Sequence, residues 1–226
     1  MADQFTELLG MTPANIDGGN LTFVQGSLRS TLSIWKEHYD RSAFGWLVHT
    51  DYTGLGERMD LFGGVSIRVD HPSPSGSSSP TDTPPAACYH WPAGSASLAP
   101  EVTASVTRYG PPSLHFVREP HDLGLLLLAD AHVHRGEVWS FTPTNNEPAR
   151  LAKAILLARQ SGDQILERAA VAKLWDRGEE PAGHRPDYLF RHAVADWSRQ
   201  YAKVTGIDLS DLAKLKRKRP QYPENP

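Results

Sequence analysis

One cysteine, Cys88, stands among 226 residues. That excludes an intramolecular disulfide and any zinc site built on paired thiolates. Long apolar runs are missing too: the longest, Leu125 to Ala129 with Leu123 just before it, is far too short to cross a bilayer. The opening stretch MADQFTELLG lacks the basic and apolar regions of a secretion signal, so the sequence predicts a cytoplasmic protein that avoids membranes. Charge of one sign is not in large excess either. A net charge of −3 argues against a wholly basic nucleic-acid binder.

The common catalytic and nucleotide signatures are absent as well. No GxxxxGK[ST] loop occurs, and TGLGE at 53–57 has neither the third glycine nor the following helix of a dinucleotide fingerprint. No GxSxG elbow is present, and Cys88 with His90 borders a Ser/Pro-rich stretch, a poor place to hold a nucleophile. Asp51, Glu57 and Asp60 read as solvated turn carboxylates. No cofactor is expected.

What is there divides the chain by pattern. Residues 1–69 read as an N-terminal α/β part of the body, 70–87 as a flexible linker or loop, 88–146 as an antiparallel β part, 147–212 as a helical part and 213–226 as a basic tail. The segment DHPSPSGSSSPTDTPPAA carries no large apolar side chain, so burial cannot offset the entropy of ordering it. Ahead of it, Leu28, Leu32, Trp35 and Tyr39 fall at helical spacing behind Ser27. A strand fits part of the same stretch, through Leu28, Leu32 and Ile34. FGWLVHT (44–50) and LFGGVSIRV (61–69) read as strands, as do VTASVTRY (102–109), SLHFVRE (113–119), LGLLLLADAHV (123–133) and EVWSFTPT (137–144).

From residue 147 the pattern turns helical. EPARLAKAILLARQSG opens with Pro148 in the first turn and ends at Gly162, and DQILERAAVAKLWDRG follows with Asp163 as its cap. PDYLFRHAVADWSRQYAKVTG (186–206) gives a third helix, and a short fourth starts near Asp208. Strands first and helices afterwards predict an α+β protein: mostly antiparallel N-terminal and central strands, then a C-terminal bundle of three to four helices.

Residues 130–134, DAHVH, resemble the first metal motif of the amidohydrolase hydrolases. On a strand, Asp130, His132 and His134 would share one face, and the resemblance implies a divalent metal held there by a hydrolase. Chain order favours a different role. That barrel needs later ligands on later strands, and little chain follows His134. Arg135-Gly136 suits a two-residue hairpin turn instead, with His134 opposite Glu137, His132 opposite Trp139 and Asp130 opposite Phe141.

The helix 148–160, the SGD turn and the helix 164–176 resemble a helix-turn-helix. Arg168, at a position where an apolar residue should pack, counts against it. Leu151, Ile155 and Ala158 form the expected core stripe, with Arg150, Lys153 and Leu157 along a solvated face bordering it.

The tail holds Lys214, Lys216, Arg217, Lys218 and Arg219. Segregated cations of this kind grip phosphate backbones without reading sequence. Arginine-rich, Pro- and Gly-rich composition has the flavour of a GC-rich phage or mobile element. The expectation is a non-enzymatic accessory or regulatory protein whose body binds a protein partner, such as a recombinase or replication enzyme, while the tail contacts nucleic acid.

Overall fold

The computed structural model describes residues 2–36, 43–54, 65–72, 88–90, 97–141 and 147–179. The elements run α1 (Ala2–Leu9), β1 (Asn15–Asp17), β2 (Asn20–Gln25), β3 (Leu28–Lys36), β4 (Ala43–Tyr52), β5 (Ser66–Asp70), β6 (Cys88–His90), α2 (Pro100–Leu114), α3 (Pro120–Leu128), β7 (His134–Arg135), β8 (Val138–Phe141), α4 (Glu147–Ser161) and α5 (Gln164–Glu179). The class is α+β, as the pattern implied. The helices are less segregated than expected: α1 precedes the sheet, and α2 and α3 fall between its strands.

Two compact units divide the chain. The first comprises residues 1–51, 66–118 and 131–141, and the second comprises 52–65, 119–130 and 142–226. The first holds an eight-stranded sheet ordered β1-β2-β3-β4-β5-β8-β7, with β6 paired to β4. β6 takes the first residues of β4, Ala43 to Gly45, and β5 takes Val48 to Asp51, both antiparallel. β1, β2 and β3 are joined by two-residue turns, because Asp17 faces Asn20 and Gln25 faces Leu28. Gly18 and Gly26 supply the positive φ values, 57° and 58°, that such short loops demand.

Alternation gives the sheet one apolar face. Leu21 and Phe23 of β2, Leu28 and Leu32 of β3, Trp46 and Val48 of β4, and Ile67 and Val69 of β5 are all buried. α1 adds Phe5 and Leu9, and α2 adds Val102, Val106 and Leu114, to the buried set. Burying each such side chain contributes roughly 1.5–3 kcal/mol. A Cβ on Gly110 would run into Leu9, so α1 lies hard against α2 there.

Several elements depart from the sequence reading. Residues 28–36 form a strand, because Leu21↔Leu32 and Phe23↔Ser30 pairing with β2 places Leu28, Ser30 and Leu32 inward. The expected strand at 102–109 is helical: Val102 and Val106 are one turn apart and both buried, behind Pro100 in the first turn. Residues 113–119 end that helix and leave it. Four consecutive leucines, 125 to 128, belong to α3 and not to a strand. Asp70 closes β5, and His71 is 2% exposed, so the flexible segment cannot begin at 70; residues 73–87 lie outside the described part.

The second unit contains α3, α4 and α5. Leu151, Ile155 and Ala158 are buried on α4, as the stripe predicted. Asp163 caps α5 through an Oδ1 that accepts from the Leu166 amide at 3.0 Å. Arg150 and Leu157 are not on a solvated face: they are 8% and 0% exposed. Arg150 Nη1 donates to the carbonyls of Leu127 and Ala129, each at 2.5 Å, and so occupies two of the acceptors that the end of α3 leaves open. Arg168 turns its Nε to the Gln164 carbonyl at 3.2 Å. The helices expected at 186–206 and from 208 lie outside the described residues. No helix among the described residues is long and apolar enough to cross a membrane.

Candidate functional site

α2 begins at Pro100, whose fixed φ suits a first turn. Its helical repeat then carries Glu101, Ala104, Ser105, Arg108 and Tyr109 along one side. These five residues, with Pro72 and Tyr89, line a cavity of about 230 Å³ in the first unit.

A buried polar chain stands behind that cavity. Tyr89, 1% exposed on β6, bonds through its hydroxyl to the hydroxyl of Ser105. The same Tyr89 oxygen lies 3.0 Å from Nε2 of His71. The imidazole is stacked on Trp46 at 3.7 Å between centroids, and Tyr109 lies 5.7 Å from it. Burial, with a smaller contribution from Arg68, pushes His71 down to about 3, because a charged ring would be stripped of water there. The ring is neutral at physiological pH.

The lining includes two exposed charges, Glu101 and Arg108. Arg108 meets Glu137 through a two-pronged contact, Nε–Oε2 at 2.6 Å and Nη2–Oε1 at 2.5 Å. Both side chains are more than half exposed, so the pair contributes little to stability. It does hold a guanidinium beside Tyr109, 5.5 Å over the ring.

The other face of β4 and β5 carries buried Leu47 and, further along, a polar cluster. His49 pairs directly opposite Arg68, and Arg68 clasps Asp70 Oδ1 through Nε at 2.9 Å and Nη2 at 2.8 Å. Burial lowers His49; Arg68 adds to the shift, and Asp51 and Asp70 oppose it. Burial raises Asp70 despite the attraction of Arg68, His49 and His132.

No family model matches the chain, and neither the curated proteins nor the solved structures offer a match. Site assignment therefore rests on the geometry.

Asp130, His132 and His134 each make a contact within their own unit. Asp130 belongs to the second unit, where it accepts from Lys173 Nζ at 2.6 Å, and the same ammonium reaches the Leu128 carbonyl. His132 and His134 belong to the first unit. Nδ1 of His132 lies 3.0 Å from the Ser140 carbonyl oxygen. The hairpin exists, with Gly136 at φ +67°, but its register is shifted from the expected one. His134 faces Trp139 and Arg135 faces Val138, so Gly136-Glu137 is the turn. Glu137 is thereby released to meet Arg108. Among the described residues no three His, Cys, Asp or Glu side chains form a group able to hold a metal ion.

The cations Lys214, Lys216, Arg217, Lys218 and Arg219 lie outside the described residues. Sequence reasoning passed over His71, Tyr89 and Ser105. Their signal was present in part: Glu101, Ser105 and Arg108 have the i, i+4, i+7 spacing of one helix side, behind a proline.

Proposed function

We propose that the protein is a non-enzymatic accessory module that seats one anchor side chain of a protein partner in the cavity beside α2. The observation that carries this reading is the cavity itself, about 230 Å³ and lined by the buried Tyr89 and Ser105 and the exposed Glu101 and Arg108. It is smaller than the roughly 300–1,000 Å³ of small-molecule sites and suits one inserted side chain, the form in which interfaces concentrate their energy. His71 supports binding over catalysis. An imidazole held at about 3 has little affinity for a proton near neutrality, where a general base must work.

The five cations of the tail, on a chain of net charge −3, support a second contact with nucleic acid through phosphates alone. A cytoplasmic recombinase or replication enzyme of a phage or mobile element is the partner class that fits both contacts.

The test fills the cavity. Ala104 is exposed on α2 and lines the site, so Ala104→Phe should obstruct it without disturbing the core. Bait protein with and without the substitution is incubated with host lysate and the retained proteins compared. A protein held by the native chain and lost with Ala104→Phe, at unchanged melting temperature, is the expected result. Identical capture by both baits would remove the cavity from the partner interface.

A further inference from the structure

We infer that the cavity beside α2 is built for a cation, so that the side chain it receives is a basic one, a lysine or arginine of the partner. The inference rests on the binding reading above and specifies its chemistry.

Charge around the cavity is uneven. Arg108 is the one cation of the lining, and Glu137 already holds it with both carboxylate oxygens. That pair is neutral as a unit. Glu101 is the other charged residue of the lining, exposed in the first turn of α2. Among the described residues no cation pairs with it. Arg68 does not line the cavity and is clasped by Asp70. The His71 ring behind Tyr89 is neutral. One guanidinium is thus set against two carboxylates, and the uncancelled charge is the anion of Glu101.

Position sharpens the preference. Glu101 and Ser105 are one turn apart on α2, which puts their Cβ atoms roughly 5–6 Å from each other. Arg108 stands two turns from Glu101, about 10 Å along the axis. A cation between Glu101 and Ser105 lies closer to the free carboxylate than to the Arg108–Glu137 pair, whose two charges largely cancel.

Ser105 suits a donor whichever way its own bond runs. Its hydroxyl shares a hydrogen bond with Tyr89, whose oxygen also meets His71. If Ser105 donates, both lone pairs of its oxygen stay open; if it accepts, one does. An ammonium or guanidinium only donates, and so finds an acceptor there in both arrangements. An ionised carboxylate only accepts, is served in one of them, and meets the like charge of Glu101 besides. Pro72 and Ala104 give the alkyl stem of a basic side chain an apolar wall while its charged end reaches Glu101.

Full-length isotope-labelled protein is titrated with butylammonium, butanol and butyrate, probes of similar shape and different charge, and followed by nuclear magnetic resonance. Signals of Tyr89 and residues 101–109 should shift, with butylammonium binding tightest and butyrate weakest. Glu101→Gln should weaken butylammonium about three- to fivefold and leave butanol unchanged. Glu101→Asp should recover part of the loss. Glu137→Gln, which uncovers the Arg108 charge, should weaken butylammonium and strengthen butyrate. Butylammonium that binds no tighter than butanol, or shifts none of these signals, would overturn the inference. So would a Glu101→Gln protein that melts lower but binds butylammonium as before, because the carboxylate would then serve the helix N-terminus alone. Partner capture separates the two ideas. A partner lost with Ala104→Phe but kept by Glu101→Gln leaves the cavity reading standing and removes the basic anchor; butylammonium binding with no partner lost leaves a cation site and removes the partner.

Discussion

Trp46 and His71 stack face to face, with ring centroids 3.7 Å apart and planes 19° from parallel. The stack seals the imidazole against water, and stability should therefore depend on pH. An unfolded imidazole titrates near 6.5, whereas this one is lowered to about 3. Between those values the unfolded chain binds the extra proton, so stability falls as pH drops below about 6.5 and is flat above it on this account. At about 1.4 kcal/mol per unit, some 2 kcal/mol should go between pH 6.5 and 5. Urea unfolding at several pH values measures it. His71→Phe should flatten the profile in that window, and an equally steep profile would acquit His71.

Asp70 works in the opposite sense. Its carboxyl is raised by burial, so in the unfolded chain it ionises at lower pH than in the folded one. The charge at neutral pH therefore costs stability, and that cost disappears as pH falls through the folded value. Asp70→Asn keeps an oxygen for Arg68 to donate to while removing the charge. Its melting temperature at pH 7 should equal or exceed that of the native protein, whereas Asp70→Ala should lower it. A clear loss with Asn would show that the Arg68 attraction outweighs the burial cost.

Arg150 is needed for its shape as well as its charge. One nitrogen serves two carbonyls at the end of α3 from a residue that is 8% exposed. Arg150→Met fills similar space but strands those acceptors, at a cost on the order of 2–4 kcal/mol. Arg150→Lys should recover part of the loss, since an ammonium donates but lacks the planar fork. Denaturant midpoints would rank the three proteins. Met and Lys tolerated equally would mean that water replaces the guanidinium.

The tight turn beside β7 gives a graded test. Gly136→Val places a branched side chain at φ +67°, costing about 1–3 kcal/mol. His134→Gln removes only an exposed ring 5.8 Å from Trp139 and should cost under about 1 kcal/mol. Thermal melts that reversed this order would contradict the observed register.

The basic run should act through charge alone. Deleting residues 214–226 should abolish most nucleic-acid binding and leave stability unchanged. For the intact chain, the slope of log affinity against log salt should be no steeper than about −4.5 for five cations. Equal DNA binding by the truncated protein would take the contact away from the tail.

How far the sequence could be read follows from which signals are local. The caps at Asp163 and Gly162 and the stripe Leu151, Ile155 and Ala158 are set within one or two turns, and they came through. β4 and β8 were legible as short runs rich in aromatic and β-branched residues. β3 was misread because Leu28 and Leu32 satisfy a helix and a strand equally; the partner β2 decides it, and the Gly26-Ser27 turn was the overlooked clue. α2 was hidden by Gly110, Pro111 and Pro112, which argue against a helix but fall in its last turn. The run Leu125–Leu128 has no periodicity to read. The site was least legible of all, since His71, Tyr89 and Ser105 lie on a strand end, a short strand and a helix that only tertiary packing joins.

The two-residue turns at Gly18 and Gly26 also bear on how the chain gets folded. α1 and the β1–β2–β3 meander are complete within the first 36 residues, and every contact among them spans a short loop with a small closure cost. β5 can pair with β4 on one flank, but its other flank must wait for β8, since Arg68–Asp70 pair with Trp139–Phe141. The meander can form while the rest of the chain is still being synthesised, and amides of β2 should gain protection ahead of those of β5 in pulse-labelled refolding. Until β8 arrives, the flank of β5 is an open strand edge, and that interval is when the nascent protein is most exposed to aggregation.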